Sequence, residues 1–225
     1  MTTRRRKASF FQRHLDPVSR LGEILFGLIM VLTATLTARL TVAEGQAGVR
    51  RLLFSAIGCN IAWGFIDAIM YVMNCLTERG AETRFIKAVQ AAPNSAVALD
   101  LVRARVESQF DALSEPEERE TLCQAVLKHL AHIRPPKVRI TSEDLYGAVA
   151  CFCLVFLSCL PAAVPFLIFS NPTVALRASN GILVLMLFVI GQKWAQLAGT
   201  SRLAAGLAMV VIGLVLVGVA VLLGG

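Results

Sequence analysis

Charge is what this chain has least of. Only 16% of its 225 residues are Asp, Glu, Lys or Arg, where a soluble domain carries roughly 25%. That shortage argues against a water-soluble globular protein. It argues equally against disorder, which needs high net charge with low hydrophobicity. Soluble-enzyme signatures are also missing: there is no HExxH, Walker A, GxGxxG, paired CxxC or GxSxG. A membrane enzyme is not excluded by that absence, but nothing positive points to one. No disulfide framework is apparent either. Cys59, Cys75, Cys151, Cys153 and Cys159 fall in apolar stretches, and Cys123 in a polar one. Cys behaves as a small hydrophobe when buried. Cys151 and Cys153 are two apart, so on a helix they face different sides, a poor spacing for a shared metal.

What the chain has in excess is apolar side chains, at 56% with a mean hydropathy of +0.67. They sit in two blocks, residues 21–77 and 145–225, separated by a polar segment. A bilayer core about 30 Å thick takes ~20 mostly apolar helical residues to cross. The sequence predicts five such helices, near 21–40, 52–76, 145–168, 176–198 and 203–223. Any one could be the core helix of a soluble protein, but five in one small chain argue against that. The expected fold class is all-α, a polytopic membrane protein with a helical cytoplasmic insert between the second and third spans. The expected organisation is a basic arm (1–20), two spans (21–76), the insert (77–144) and three spans (145–225).

Arg4, Arg5, Arg6 and Lys7 resemble the start of a signal peptide. However, Arg13, Asp16 and Arg20 separate them from the apolar run, and no small-residue cleavage site follows, so a retained helix is expected. Lys and Arg placement then orients the chain. With the N-terminus inside, eighteen basic residues lie on the cytoplasmic side, and Arg39, Arg50, Arg51 and Arg177 lie outside. Five spans put the C-terminus outside, and a cell membrane is the expected location. The net charge of +7 reads as topology and attraction to anionic lipid rather than as a nucleic-acid site.

The polar segment reads as helical. Residues 77–91 extend the second span, and Pro93 closes it. Asn94 caps a helix near 95–112 with Val97, Leu101, Phe110 and Leu113 as its apolar positions. Ser114, Pro116 and Glu117 open another, running to about Ile133 with Leu122, Val126, Leu127 and Leu130 as its apolar face. Its acids admit two readings. Glu107 and Asp111 share a face, Glu117 and Glu120 are three apart, and His129 and His132 lie near the end. Fe²⁺ and Mn²⁺ accept carboxylate with imidazole. Alternatively, glutamates at a helix start offset the macrodipole, and Glu107 with Asp111 is a solvated face.

Glu23 and Asp67 are the only acids within spans. A carboxylate at membrane depth costs several kcal/mol or is neutralised, and it usually faces a bundle interior on an ion or proton path. Asp67 falls roughly 22 Å along its span at 1.5 Å per residue, toward the same cytoplasmic half as Glu23. Asn60, Asp67 and Asn74 are spaced by seven, as are Glu23, Met30 and Thr37, with Met70 and Met73 beside the first row. Two facing stripes would make a cation path with hard and soft donors. The competing view makes Glu23 interfacial and Asp67 an interhelical hydrogen-bonding group. Gly27 with Ala34, and Gly206 with Gly213, offer faces for close helix approach. Pro161 and Pro165 are expected to kink the third span.

The order of two spans, a helical insert and three spans resembles the vacuolar iron transporter family. Residues 20–27 (RLGEILFG) resemble the start of that family's first span, Pro161 to Phe166 (PAAVPF) its third-span proline motif, and 202–213 its closing helix. The resemblance implies proton-coupled export of Fe²⁺ or Mn²⁺ from the cytoplasm by a homodimer. The path would lie at the dimer interface, with the insert gathering metal through glutamates. Glu23 and Asp67 would match the first-span and second-span acids. Two departures stand out: Trp63 occupies the place expected for the second-span methionine, and Glu78 and Glu82 are four apart instead of forming the repeated ExxE pattern. The expected function is thus transport of Fe²⁺ and/or Mn²⁺ against protons, with no enzymatic role, no resident cofactor and no nucleic-acid partner. Glu23, Asp67, Met70, Met73, Met30 and Asn60 would line the path, and Glu107, Asp111, Glu117 and Glu120 would bind metal. The rival expectation is a non-transporting membrane scaffold whose insert binds a protein.

Overall fold

The computed structural model describes residues 10–37, 45–110 and 116–222. Among them there is no strand. The helices are α1 (Phe10–His14), α2 (Pro17–Thr37), α3 (Gly45–Gln90), α4 (Ser95–Phe110), α5 (Pro116–Leu130), α6 (Ser142–Ile168), α7 (Pro172–Ala198) and α8 (Arg202–Leu222). Five of them are long and apolar enough to cross a membrane: α2, α3, α6, α7 and α8. The chain divides into two compact units, residues 1–72 with 142–225, and residues 73–141.

In the first unit, local chemistry sets the helix ends. Asp16 accepts hydrogen bonds from the N–H groups of Val18 and Ser19 at 2.9 and 3.0 Å. Pro17 takes the first helical position, where its missing N–H costs nothing. The first span therefore begins four residues before the predicted 21, because Asp16 and Arg20 open the helix instead of preceding it. Asn171 caps α7 through the N–H groups of Thr173 and Val174, again with a proline following. Gly199 ends α7 with φ at 68°. That left-handed conformation is the one glycine adopts without the clash a Cβ would bring.

The spans pack around Leu28, Val31 and Leu32 of α2, Cys159 and Ala162 of α6, Leu183, Leu187 and Ile190 of α7, and Val217 of α8. Glycines let the helices close in. A Cβ on Gly191 would lie 2.5 Å from the Ala205 carbonyl oxygen. One on Gly206 would lie 2.6 Å from the Phe188 ring, and one on Gly213 2.7 Å from Leu187. Gly206 and Gly213 thus share the face of α8 that meets α7. Helix α6 runs through both Pro161 and Pro165.

The second unit has its own small core. Val89 of α3, Ala98, Val102 and Val106 of α4, and Cys123 of α5 are buried together, with Phe85, Leu99, Val126, Leu127 and Leu130 packed against them. On α4 the expected Val97 and Leu101 are exposed, and the buried row starts one residue later, at Ala98. On α5 Leu122 is exposed, while Val126, Leu127 and Leu130 pack on the core as expected. Ala98, Val102 and Val106 repeat every four residues and are small, so α4 can lie close to α3 on that side. Leu113 lies outside the described residues. The segment after α5 is tied back by hydrogen bonds: Gln90 donates to the carbonyls of Leu130 and Ile133, both at 2.8 Å, and Thr83 to Pro136 at 2.9 Å.

Candidate functional site

The site is in the first unit, where α2 is drawn in by a glycine. A Cβ on Gly27 would lie 1.9 Å from Ser158 Oγ, 2.8 Å from the Val155 carbonyl oxygen and 3.2 Å from Asn60 Oδ1. Only a residue without a side chain fits this crossing of α2 with α3 and α6. One turn earlier on α2, Glu23 lies beside Asp67 of α3, with Cys151 of α6 next to it. Glu23 Oε2 is buried and has no hydrogen-bond donor. Two ionised carboxylates offer only acceptors. Ionised together at such close quarters, they repel. Among the described residues, no Lys, Arg or His forms an ion pair with either acid. The repulsion is relieved when one of the two carboxyl groups carries a proton.

Towards the N-terminus of α2 the pair is bordered by an apolar cluster. Leu15, Ala150 and Cys151 are buried with Phe11, Tyr71 and Leu154 around them. Tyr71 donates its hydroxyl to the His14 carbonyl at 3.1 Å. Its ring occupies the space that a Cβ on Gly147 would take. His14 Nδ1 lies 3.0 Å from the Glu143 carboxylate. Along α2 in the other direction, polar groups continue but the packing closes. Asn60 is 0% exposed, and its Nδ2 donates to the Ala56 carbonyl at 3.0 Å. Its Oδ1 has no partner. Further on, the Thr35 hydroxyl donates to Asn180 at 2.7 Å, and the Ser179 hydroxyl to the Ala162 carbonyl at 2.8 Å. The gap beside Thr35, Ala56 and Cys159 is about 10 Å³, at the lower limit of what one water needs.

The structure thus brings Glu23 and Asp67 together, with Asn60 two turns of α3 away, beside Gly27. Met30 is half-buried. Met70 and Met73 are 52% and 59% exposed, on the outside of this chain. The rows spaced by seven do not keep to one environment, since Asn60 is buried, Asp67 half-buried and Asn74 exposed.

Acids of the second unit behave differently. Glu120 accepts from Arg103 at 2.8 Å and from Gln124 at 3.3 Å, and Arg103 also donates to Asp100 at 2.7 Å. The Arg103 bond holds the Glu120 carboxyl below its usual range. Glu107 and Glu117 are exposed, and Asp111 lies outside the described residues. Among the described residues, no three Asp, Glu, His or Cys side chains are grouped to hold a metal ion, and the expected set of Glu107, Asp111, Glu117 and Glu120 includes Asp111, which is not among them. Glu120 is engaged by the Arg103 guanidinium. An open cavity of about 710 Å³ in this unit is lined by Cys75, Glu78, Arg79, Glu82 and Arg105, among others.

Cys151 and Tyr71 carry no signal in the sequence that would mark them as neighbours of the acids. Their placement depends on how α6 crosses α2 and α3, and spacing along one helix does not reveal that.

Five helices long and apolar enough to cross a membrane define a multi-pass helical membrane protein. The chain belongs to the VIT family, whose model matches residues 98–225, and so to a family of membrane metal-ion transporters. Glu23 and Asp67 lie N-terminal to the matched segment. No curated protein matches the chain.

Proposed function

We propose that this protein exports Fe²⁺ and/or Mn²⁺ from the cytoplasm in exchange for protons, as a homodimer in the cell membrane and without enzymatic activity. The observation that carries the reading is the Glu23–Asp67 contact, in which two carboxyl groups meet with no basic partner. In the resting state they share a proton. A divalent cation displaces it and is held by both oxygens, so that cation and proton compete for one place. The basic arm and the Lys and Arg residues of the inter-span unit orient the chain with its N-terminus inside. Asp67 remains half-exposed on the outside of one chain at membrane depth, which is costly in lipid. A second copy packed over that face would cover it and turn Met70 and Met73 towards a shared path. The inter-span unit would collect metal through Glu107, Asp111, Glu117 and Glu120, with Arg103 released from Glu120 as the cation arrives.

The test is metal flux in proteoliposomes under a pH gradient, with Fe²⁺, Mn²⁺ and Mg²⁺ compared. The reading expects gradient-dependent flux of Fe²⁺ or Mn²⁺, lost in Asp67→Asn. Equal flux in both proteins would remove Asp67 from the mechanism. No flux in either would favour the scaffold role.

A further inference from the structure

We propose that the short helix α1 is a lid over the acid pair, closing the N-terminal mouth of the bundle and opening about a hinge at Leu15 and Asp16. This rests on the transport reading above and deepens it: with the N-terminus inside, the lid stands between the cytoplasm and the site. Close approaches between helices fix the depth of the pair. Asn60 of α3 and Val155 and Ser158 of α6 meet at Gly27 of α2. Nearer the mouth, Gly64 of α3 lies against the Phe152 ring, and Gly147 of α6 against the Tyr71 ring. Glu23 is four residues before Gly27, and Asp67 lies between Gly64 and Tyr71. Both acids therefore sit between the Gly27 crossing and the Tyr71 contact. The mouth beyond them is filled from α1. Phe11 and Leu15 pack with Tyr71, Ala150, Cys151 and Leu154, and Leu15 is buried. Phe11 and Leu15 are four apart and share one face, while Phe10 and Arg13 are exposed.

The lid is lightly attached. Leu15 and Asp16 belong to neither α1 nor α2. Asp16 caps α2 through the N–H groups of Val18 and Ser19, so α1 can turn away without undoing that cap. Two polar contacts hold it down. The Tyr71 hydroxyl donates to the His14 carbonyl at 3.1 Å, and His14 Nδ1 donates to the Glu143 carboxylate at 3.0 Å. The Glu143 side chain is 76% exposed, and charged contacts at such a rim contribute little. The Phe10 and Tyr146 rings flank the His14 imidazole, with centroids 4.8 and 5.4 Å away. A short segment held by few buried contacts and by hydrogen bonds at the rim opens locally while the rest of the fold stays closed. Opening withdraws Phe11 and Leu15 and gives water and cations a way to Glu23.

The test reads thiol accessibility in the whole chain. Cys151 lies beneath the lid at 1% exposure, and Cys159, two turns deeper on α6, is 2% exposed. Two proteins are made, one keeping only Cys151 and one only Cys159, with the other cysteines replaced by alanine. Each is held in lipid nanodiscs, and its rate of reaction with a membrane-impermeant maleimide is measured. Labelling follows the population of the open form when opening is fast relative to reaction. Tyr71→Phe keeps the ring in place and removes its hydrogen bond to the lid, so the Cys151 rate should rise about fivefold. Glu143→Gln should raise it about twofold. The Cys159 rate should not change in either variant. An unchanged Cys151 rate in both variants overturns the lid. An equal rise at Cys159 also overturns it, because the whole bundle would then have loosened. Metal flux by the wild type is measured separately: its absence would remove the transport reading, and the labelling rates would still decide the lid.

Discussion

The two units treat their acids in opposite ways. In the second, Glu120 and Asp100 both face Arg103 at the surface, where water and a guanidinium compensate each charge. In the first, Glu23 and Asp67 face each other, partly out of water, and no basic side chain pairs with them. Surface pairs of the first kind contribute little to stability. A carboxylate contact of the second kind lowers stability unless something positive enters it. Such a site persists in a packed bundle only where the surrounding contacts hold it in place. The crossing at Gly27 supplies that constraint, as the proposed cation and proton site requires.

This contrast can be broken or sharpened by substitution. The largest effect is expected for Glu23→Gln, which removes the carboxylate contact. Metal flux should fall by about a hundredfold, while the melting temperature holds, because a Gln amide can donate to Asp67 in place of the shared proton. Gly27→Val should lower stability by about 3 kcal/mol, measured by thermal unfolding in detergent. Its Cβ would meet Ser158 and a backbone carbonyl that cannot move away. In the second unit, Val102→Ala should cost about 2 kcal/mol by opening the core around Cys123, with the acid pair untouched.

Smaller effects concern charge at helix ends and surfaces. Asp16→Ala removes the cap of α2 and should cost about 1 kcal/mol. The Asp16 carboxyl is held below its ordinary value, chiefly by hydrogen bonding to Ser19. Its contribution is therefore complete above the ordinary carboxylate range and is lost as pH falls through the lowered value, and unfolding measured against pH should show the difference vanish in acid. The smallest effect is expected for Arg103→Ala. Without the guanidinium, the Glu120 carboxyl should return upward towards its ordinary value, which NMR titration would detect.

Much of this architecture can be read from the chain, because lipid imposes a coarse rule. Charge-free runs of about 20 residues are long enough to be counted, and α6, α7 and α8 fall within a few residues of their expected limits. The start of α2 was less legible, since Asp16, Pro17 and Arg20 look like a linker until Asp16 is seen to bond two backbone N–H groups. In α4 two apolar rows one residue apart compete, and tertiary contact with α3 and α5 chooses Val102 over Leu101. Hydropathy cannot separate the two rows. At the site, Glu23 and Asp67 stood out as charges in apolar surroundings. Cys151 did not, because a cysteine in a span looks like any small apolar residue. Glu120 looked available for metal, and only the fold brings Arg103, seventeen residues earlier, against it.

Proton release on metal binding tests the central claim most directly. When Mn²⁺ or Fe²⁺ is titrated into the weakly buffered, detergent-solubilised protein, about one proton should leave per cation bound at the acid pair, and Asp67→Asn should release none. Cation binding to the wild type with no change in free proton, or identical release from Asp67→Asn, would contradict the account.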